Sequence, residues 1–110
     1  MVIRFDYGEH SSMFTADIYT ATENKLRAMY TNGELDVDFM KVPHHGIGQS
    51  SLAFLEAVTP EIAVATGYQT ISSDITSRYN TVGATLLEDL YHGYIHIFSG
   101  TDGVMSVETE

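Results

Sequence analysis

Asp36-Val37-Asp38-Phe39-Met40-Lys41-Val42-Pro43-His44-His45-Gly46 is an apolar run that stops abruptly at a proline, two adjacent histidines and a glycine. Such a run makes a buried strand, and its sudden end delivers side chains to the edge of a sheet, where a ligand or metal can be met. Simple packing does not ask for adjacent imidazoles at such an edge.

Upstream, Ile3-Arg4-Phe5-Asp6-Tyr7 alternates apolar and polar residues with period two, Gly8-Glu9-His10-Ser11 reads as a turn, and Ser12-Met13-Phe14-Thr15-Ala16 forms the second strand of a hairpin. Asp17 closes that strand. Thr20-Ala21-Thr22-Glu23 has the form of a helix capping box, followed by Leu26, Met29 and Tyr30 at helical spacing and a stop at Asn32-Gly33. Downstream, the loop 46–50 leads to a helix capped by Ser50 or Ser51, with Leu52, Leu55 and Val58 on its buried stripe and Thr59-Pro60 at its end. Ile62-Ala63-Val64-Ala65-Thr66 is a continuous apolar run, the pattern of a strand covered on both faces. The stretch from Gly67 to Tyr79 is polar and loop-like. Val82, Leu86, Leu87 and Leu90 predict a third helix closing near Gly93, and strands at 94–98 and 104–107 predict a terminal hairpin through the turn Ser99-Gly100-Thr101-Asp102-Gly103. Strands alternating with about three helices predict an α/β fold with a mixed sheet and hairpins at both ends.

At 110 residues, with 44% apolar composition, the chain is one domain, 1–110, with a real core. No apolar run approaches the roughly 20 residues of a membrane helix, and no signal-peptide pattern opens the chain. Beginning directly on a strand that reads as part of a core, the chain is expected to be a piece of something longer. Cysteine is absent, which excludes disulfides and thiolate metal sites. Fifteen acidic against five basic residues give a formal charge of -10, so direct nucleic-acid binding is not expected from this segment. A bound divalent cation would reverse that repulsion locally.

Two loop entries place ionisable groups at the carboxyl end of a strand: Asp17, and the pair His44 and His45. In α/β sheets that edge commonly holds the site. One helix and one strand separate them, a crossover that brings the two strands side by side with Asp17 and the histidines at the same end. Carboxylate oxygen with imidazole nitrogen suits zinc, manganese or iron. The plainer alternatives are an aspartate that serves only as a cap or turn residue and an inert histidine pair. His10, His92 and His96 read as structural, and Tyr68, Arg78 and Tyr79 lie in a stretch that reads as loop, either packing on the surface or lining a pocket.

Phe14-Thr15-Ala16-Asp17, the helix after it, and Asp38 to Gly46 with Ser50-Ser51, Phe54-Leu55 and Pro60 downstream resemble the C-terminal half of metallo-β-lactamase-fold hydrolases. The likeness is to the ComEC-type competence proteins and their stand-alone bacterial relatives, where a Thr-Gly-Asp strand end precedes a Lys-Val-x-His-His-Gly-Ser segment. It extends to Arg78-Tyr79, the helix to Leu90 and the Asp102-Gly103 turn. The resemblance implies half of a four-layer αββα sandwich whose N-terminal half is absent. It implies Asp17 as the carboxylate bridging two metal ions and His45 as a ligand of the second ion, with zinc or manganese in the complete fold. His44, Ser50, Ser51, Arg78 and Tyr79 would support these ligands or touch a phosphoester substrate, and no catalytic group acts independently of the metal ligands. Ala16 stands where relatives have Gly, Ile47 where they have Ser, and Thr81 and Val82 where many have His-Pro. The family's His-x-His-x-Asp-His motif is nowhere in the chain.

These readings predict part of a two-metal phosphodiesterase or related ester hydrolase, with weak or no metal binding and no activity in this segment alone. The expected partners are the missing N-terminal half and, in its absence, a second copy of the chain, because a sheet built to pack on another leaves an apolar face bare. The competing expectation is a non-catalytic scaffold or ligand-binding domain without a metal centre. A weak calcium-binding surface is a third, although the acidic residues form no Asp-x-Asp-x-Asp-Gly loop.

Overall fold

In the computed structural model, residues 1–101 and 104–109 are described; the expected turn residues Asp102 and Gly103 lie outside them. β1 (Ile3–Tyr7) and β2 (His10–Phe14) form the N-terminal hairpin. From β2 the chain makes three helix-bridged crossovers: α1 (Thr20–Met29) to β3 (Phe39–Lys41), α2 (Leu52–Val58) to β4 (Ile62–Ala65), and α3 (Ser73–Thr81) to β5 (Thr85–Glu88). The result is a mixed five-stranded sheet in the order β1-β2-β3-β4-β5, antiparallel at its first pair and parallel thereafter. The short helix α4 (Asp89–His92) precedes a separate two-stranded sheet, β6 (Ile95–Ser99) with β7 (Met105–Thr109).

Register decides which residues make the core. Met13, Met40, Ala63 and Leu86 lie in one cross-strand row, and on that face Met13, Met40, Val42, Ala63 and Ala65 pack with Phe54, Leu55, Val58, Ile75 and Tyr79. α2 behaves as its sequence predicts. The Ser51 hydroxyl accepts from the Phe54 N–H and Leu55 and Val58 are buried, although Leu52 turns to solvent. β4 is buried along its whole length, as its continuous apolar run requires. The opposite face is bare towards β1: Ile3 (50% exposed), Phe5 (57%), Tyr7 (49%) and Phe14 (46%) share it. β1 is therefore an edge strand with every residue exposed, not the core strand its alternation suggests.

Three expectations are corrected. The stretch Gly67 to Tyr79 is not all loop: Ser72 caps α3 by accepting from the Ile75 N–H, and Ile75 and Tyr79, one turn apart, are its buried stripe. With only two inward positions, the helix itself looks polar throughout. The helix expected from Val82 to Leu90 is interrupted by a strand: β5 occupies Thr85–Glu88, and helix is left only in the short α4 that Gly93 closes. Gly83 turns the chain at φ 79°, the Thr85 N–H donates to the Glu61 carbonyl, and β5 takes the open edge of β4, so tertiary pairing overrides a helical spacing of leucines. Finally, α1 has no capping box. Tyr19 holds the N-cap position without a side-chain bond, the Thr20 N–H and hydroxyl go to the Gln49 side chain, and Glu23 reaches across to the loop before α2. Met29 and Tyr30, expected inside, are exposed.

Candidate functional site

Because β2 and β3 run parallel, their carboxyl ends open at the same rim, and hydrogen bonds tie the two exits together. The buried Thr15 donates its hydroxyl to the Lys41 carbonyl at 2.7 Å, and the His44 N–H donates to the Ala16 carbonyl at 3.0 Å. Asp17 follows one exit, and the tight turn Pro43–Gly46 follows the other. His45 Nε2 lies 3.4 Å from Asp17 Oδ1. The other ring nitrogen, Nδ1, is 2.6 Å from the Thr66 carbonyl. A carbonyl only accepts, so Nδ1 carries a proton, and in the neutral ring the Nε2 lone pair is the one on the Asp17 side.

Backbone strain gathers here. Five non-glycine residues among those described have positive φ: Ala16 (49°), His44 (48°), His45 (58°), Ser50 (67°) and Thr59 (44°). Four belong to the two exits, while Thr59 caps α2. Each left-handed residue costs on the order of 1 kcal/mol, and such costs persist where the surrounding structure over-determines the geometry, which is common at ligand sites. Gly46 is required twice over: its φ is 81°, and a Cβ there would sit 2.7 Å from Ile71 Cγ1.

Lys41 places its ammonium 3.9 Å from Asp17 Oδ1 and 3.4 Å from the Ala16 carbonyl. Burial lowers its pKa from the ordinary value, and the Asp17 charge opposes that shift. His44 stands edge-on to Tyr19, with ring centroids 5.2 Å apart, and its Nδ1 is buried without a hydrogen-bond partner among the described residues. His45, Ile47, Thr66, Gly67, Tyr68 and Gln69 line an open cleft of about 280 Å³ beside the rim.

The remaining candidates form a buried network behind the turn. Glu23 is wholly buried and accepts from the N–H groups of Ser50 (2.8 Å) and Ser51 (3.0 Å). The Ser50 hydroxyl bonds the Tyr79 hydroxyl at 2.8 Å, and Arg78 donates to the Ser50 carbonyl at 3.3 Å. Tyr79 is fully buried. Burial raises its pKa well above the ordinary 10.0, the Ser50 bond opposes this and the Glu23 charge adds to it. Arg78 and Tyr79 thus lie on a helix, not in a loop, and their bonds hold the segment that follows His45. His10 bonds Ser99, and His92 ends α4.

Sequence reasoning read Glu23 only as part of a cap and gave no role to Lys41 or the Thr66 carbonyl. Glu23 carried a signal, since a carboxylate three residues before Leu26 falls on the face that α1 turns inward. A backbone carbonyl carries none. Among the described residues, no three His, Asp or Glu side chains gather as a metal site, and no helix is long and apolar enough to cross a membrane.

The chain matches no protein-family model. It is 26% identical over 98 residues to the uncharacterized protein YcaI of Escherichia coli (strain K12), covering 84% of this chain. The chain spans only 13% of that protein's length.

Proposed function

We propose that this chain is the C-terminal half of a metallo-β-lactamase-like hydrolase of the αββα type, in which Asp17 and His45 provide two of the ligands for a pair of zinc or manganese ions. One observation carries the reading: a carboxylate oxygen and an imidazole nitrogen stand 3.4 Å apart at one rim, the imidazole oriented through its other nitrogen by a backbone carbonyl. Metal-ligating histidines are habitually oriented in this way.

The donor types fit such ions, but a hydrolytic zinc site takes three protein ligands and an open position. The missing donors belong to the N-terminal half, so this segment alone is expected to hold metal weakly and to be inactive. When bound, the ions would lower the pKa of water to near neutrality and neutralise a phosphoester. The chain's own residues hold the ligands in place: Thr15 and Ala16 tie Asp17 to the turn, Glu23, Ser50, Ser51, Arg78 and Tyr79 hold the turn from behind, and His44 stands next to it for a substrate oxygen. The bare face of Ile3, Phe5, Tyr7 and Phe14 seats the second sheet.

The test joins an N-terminal half carrying the His-x-His-x-Asp-His motif and follows bis(p-nitrophenyl) phosphate hydrolysis with zinc or manganese. Hydrolysis abolished by Asp17→Ala and by His45→Ala is expected. Absence of activity, with both variants indistinguishable from the unsubstituted protein, would refute the proposal.

The position of the Lys41 ammonium favours a second reading, a scaffold without metal. There, Lys41 provides the positive charge beside Asp17 that a cation provides in the first reading. Metal content decides, because a scaffold retains no near-stoichiometric transition metal after dialysis of the joined protein.

A further inference from the structure

The carbonyl that orients His45 and the N–H of Gly67 belong to one peptide unit, Thr66–Gly67. That N–H donates to Asp89 Oδ1 at 2.9 Å, while the carbonyl accepts from His45 Nδ1 at 2.6 Å. We infer that Asp89 is a positioning residue for His45, acting through this single peptide. The inference deepens the metal-ligand reading of His45 and gives the imidazole its orienting carboxylate at one remove.

A carboxylate on the N–H end of a peptide pulls its π-electrons towards oxygen, and hydrogen bonds chained in this way reinforce one another. The Thr66 oxygen is therefore a stronger acceptor than an isolated carbonyl, and the plane of the peptide is held from both ends. Three features are consistent with a built contact. Gly67 takes φ 153°, a backbone conformation that other residues rarely adopt, and packs directly on His45, whose Cβ would be 3.4 Å, an ordinary contact, from a Cβ placed there. Asp89 opens α4 directly after β5, so its carboxylate comes from the rim of the strand that neighbours β4. Next to it, Glu88 Oε1 accepts from the Ile71 N–H at 3.2 Å, and the Tyr91 hydroxyl bonds the Thr70 hydroxyl at 2.9 Å. Thus Asp89 is one of three neighbouring anchors on the loop that walls the cleft, and it alone bonds the peptide His45 uses.

What Asp89 sets is the tautomer and the aim of His45. With Nδ1 committed as donor, Nε2 presents its lone pair to the Asp17 side of the rim, the form a ligand must have. The test is a long-range nitrogen–proton correlation spectrum of the His45 ring on the chain itself without metal, at a pH where the ring is neutral, together with thermal unfolding. The native chain should show the Nδ1–H form. Asp89→Ala releases the Thr66–Gly67 peptide to turn away, and the ratio of Nδ1–H to Nε2–H should fall by up to about fivefold, the factor for losing the one net hydrogen bond from His45 to the Thr66 carbonyl. Asp89→Asn keeps an acceptor oxygen without the charge and should fall between. An unchanged ratio in Asp89→Ala overturns the inference, and so does equal loss in both variants with matching falls in melting temperature, which would mark a merely structural residue. Should Asp89→Ala not fold, Asp89→Asn decides by itself, and a native ratio there overturns the inference. Because no metal is present, failure here is distinct from failure of the hydrolase reading, which the phosphodiester assay reports.

Discussion

Replacing Glu23 by glutamine tests whether the buried network holds the His45 turn in place. The side chain is wholly buried and each carboxylate oxygen receives one backbone N–H, from Ser50 and Ser51. Two opposing effects are in play. Removing a buried charge relieves desolvation, which by itself stabilises the fold. Glutamine, however, has one acceptor oxygen, so its amide group meets the second N–H donor to donor. Hydrogen bonds to a charged group contribute about 1.5–3 kcal/mol and neutral ones about 1 kcal/mol. One bond is lost and the other falls to its neutral value, about 3 kcal/mol in all, and two N–H groups had already offset the desolvation. Against a typical domain stability of about 5–15 kcal/mol this is a large fraction, and it corresponds to a fall of roughly 12 °C in melting temperature. Urea unfolding of Glu23→Gln beside the exposed control Glu56→Gln measures it, with hydrogen exchange at Ser50 and Ser51 as the local reading. The control should stay within about 0.5 kcal/mol of the native chain. A Glu23→Gln variant equally close to native, or more stable, would refute the claim that these two bonds outweigh the relief of desolvation.

Ala16→Gly should stabilise the chain by about 0.5 kcal/mol, since relief of a left-handed alanine, about 1–2 kcal/mol, exceeds the entropic cost of glycine, about 0.5–1 kcal/mol; destabilisation on urea unfolding would contradict it. Tyr79 predicts alkaline sensitivity. With its folded pKa above the unfolded 10.0, the folded state holds the proton that the unfolded state has released, so stability is fully present below about pH 10 and is lost as pH rises beyond it. At pH 11 the native chain should have lost about 1.4 kcal/mol relative to Tyr79→Phe, compared with their difference at pH 8; parallel stability curves would exclude this. The bare face of Ile3, Phe5, Tyr7 and Phe14 should make the isolated chain self-associate at high micromolar concentration, with Phe5→Ser shifting it to monomer. A native monomer by sedimentation velocity would contradict that.

Local chemistry was legible wherever neighbouring residues decide the outcome. The N-terminal hairpin, the Ser51 cap of α2, the doubly covered β4 and the adjacency of Asp17 to His45 all follow from periodicity, a capping hydroxyl or the geometry of one crossover. Misreadings arose where a distant partner decides. Val82 to Leu90 carries helical spacing, yet four of those residues complete the edge of β4. Glu23 has the form of a capping-box residue, yet its carboxylate satisfies amides on another loop.

The sequence by itself determined that an α/β layer would carry a carboxylate and paired histidines to one sheet edge, because strand direction and crossover length are local properties. Only the tertiary structure decided the His45 tautomer, the left-handed turn that aims the ring, and the roles of Glu23 and Asp89. Each of these depends on a backbone carbonyl or N–H, groups that nearly every residue carries, so only folding determines which of them meets a given side chain.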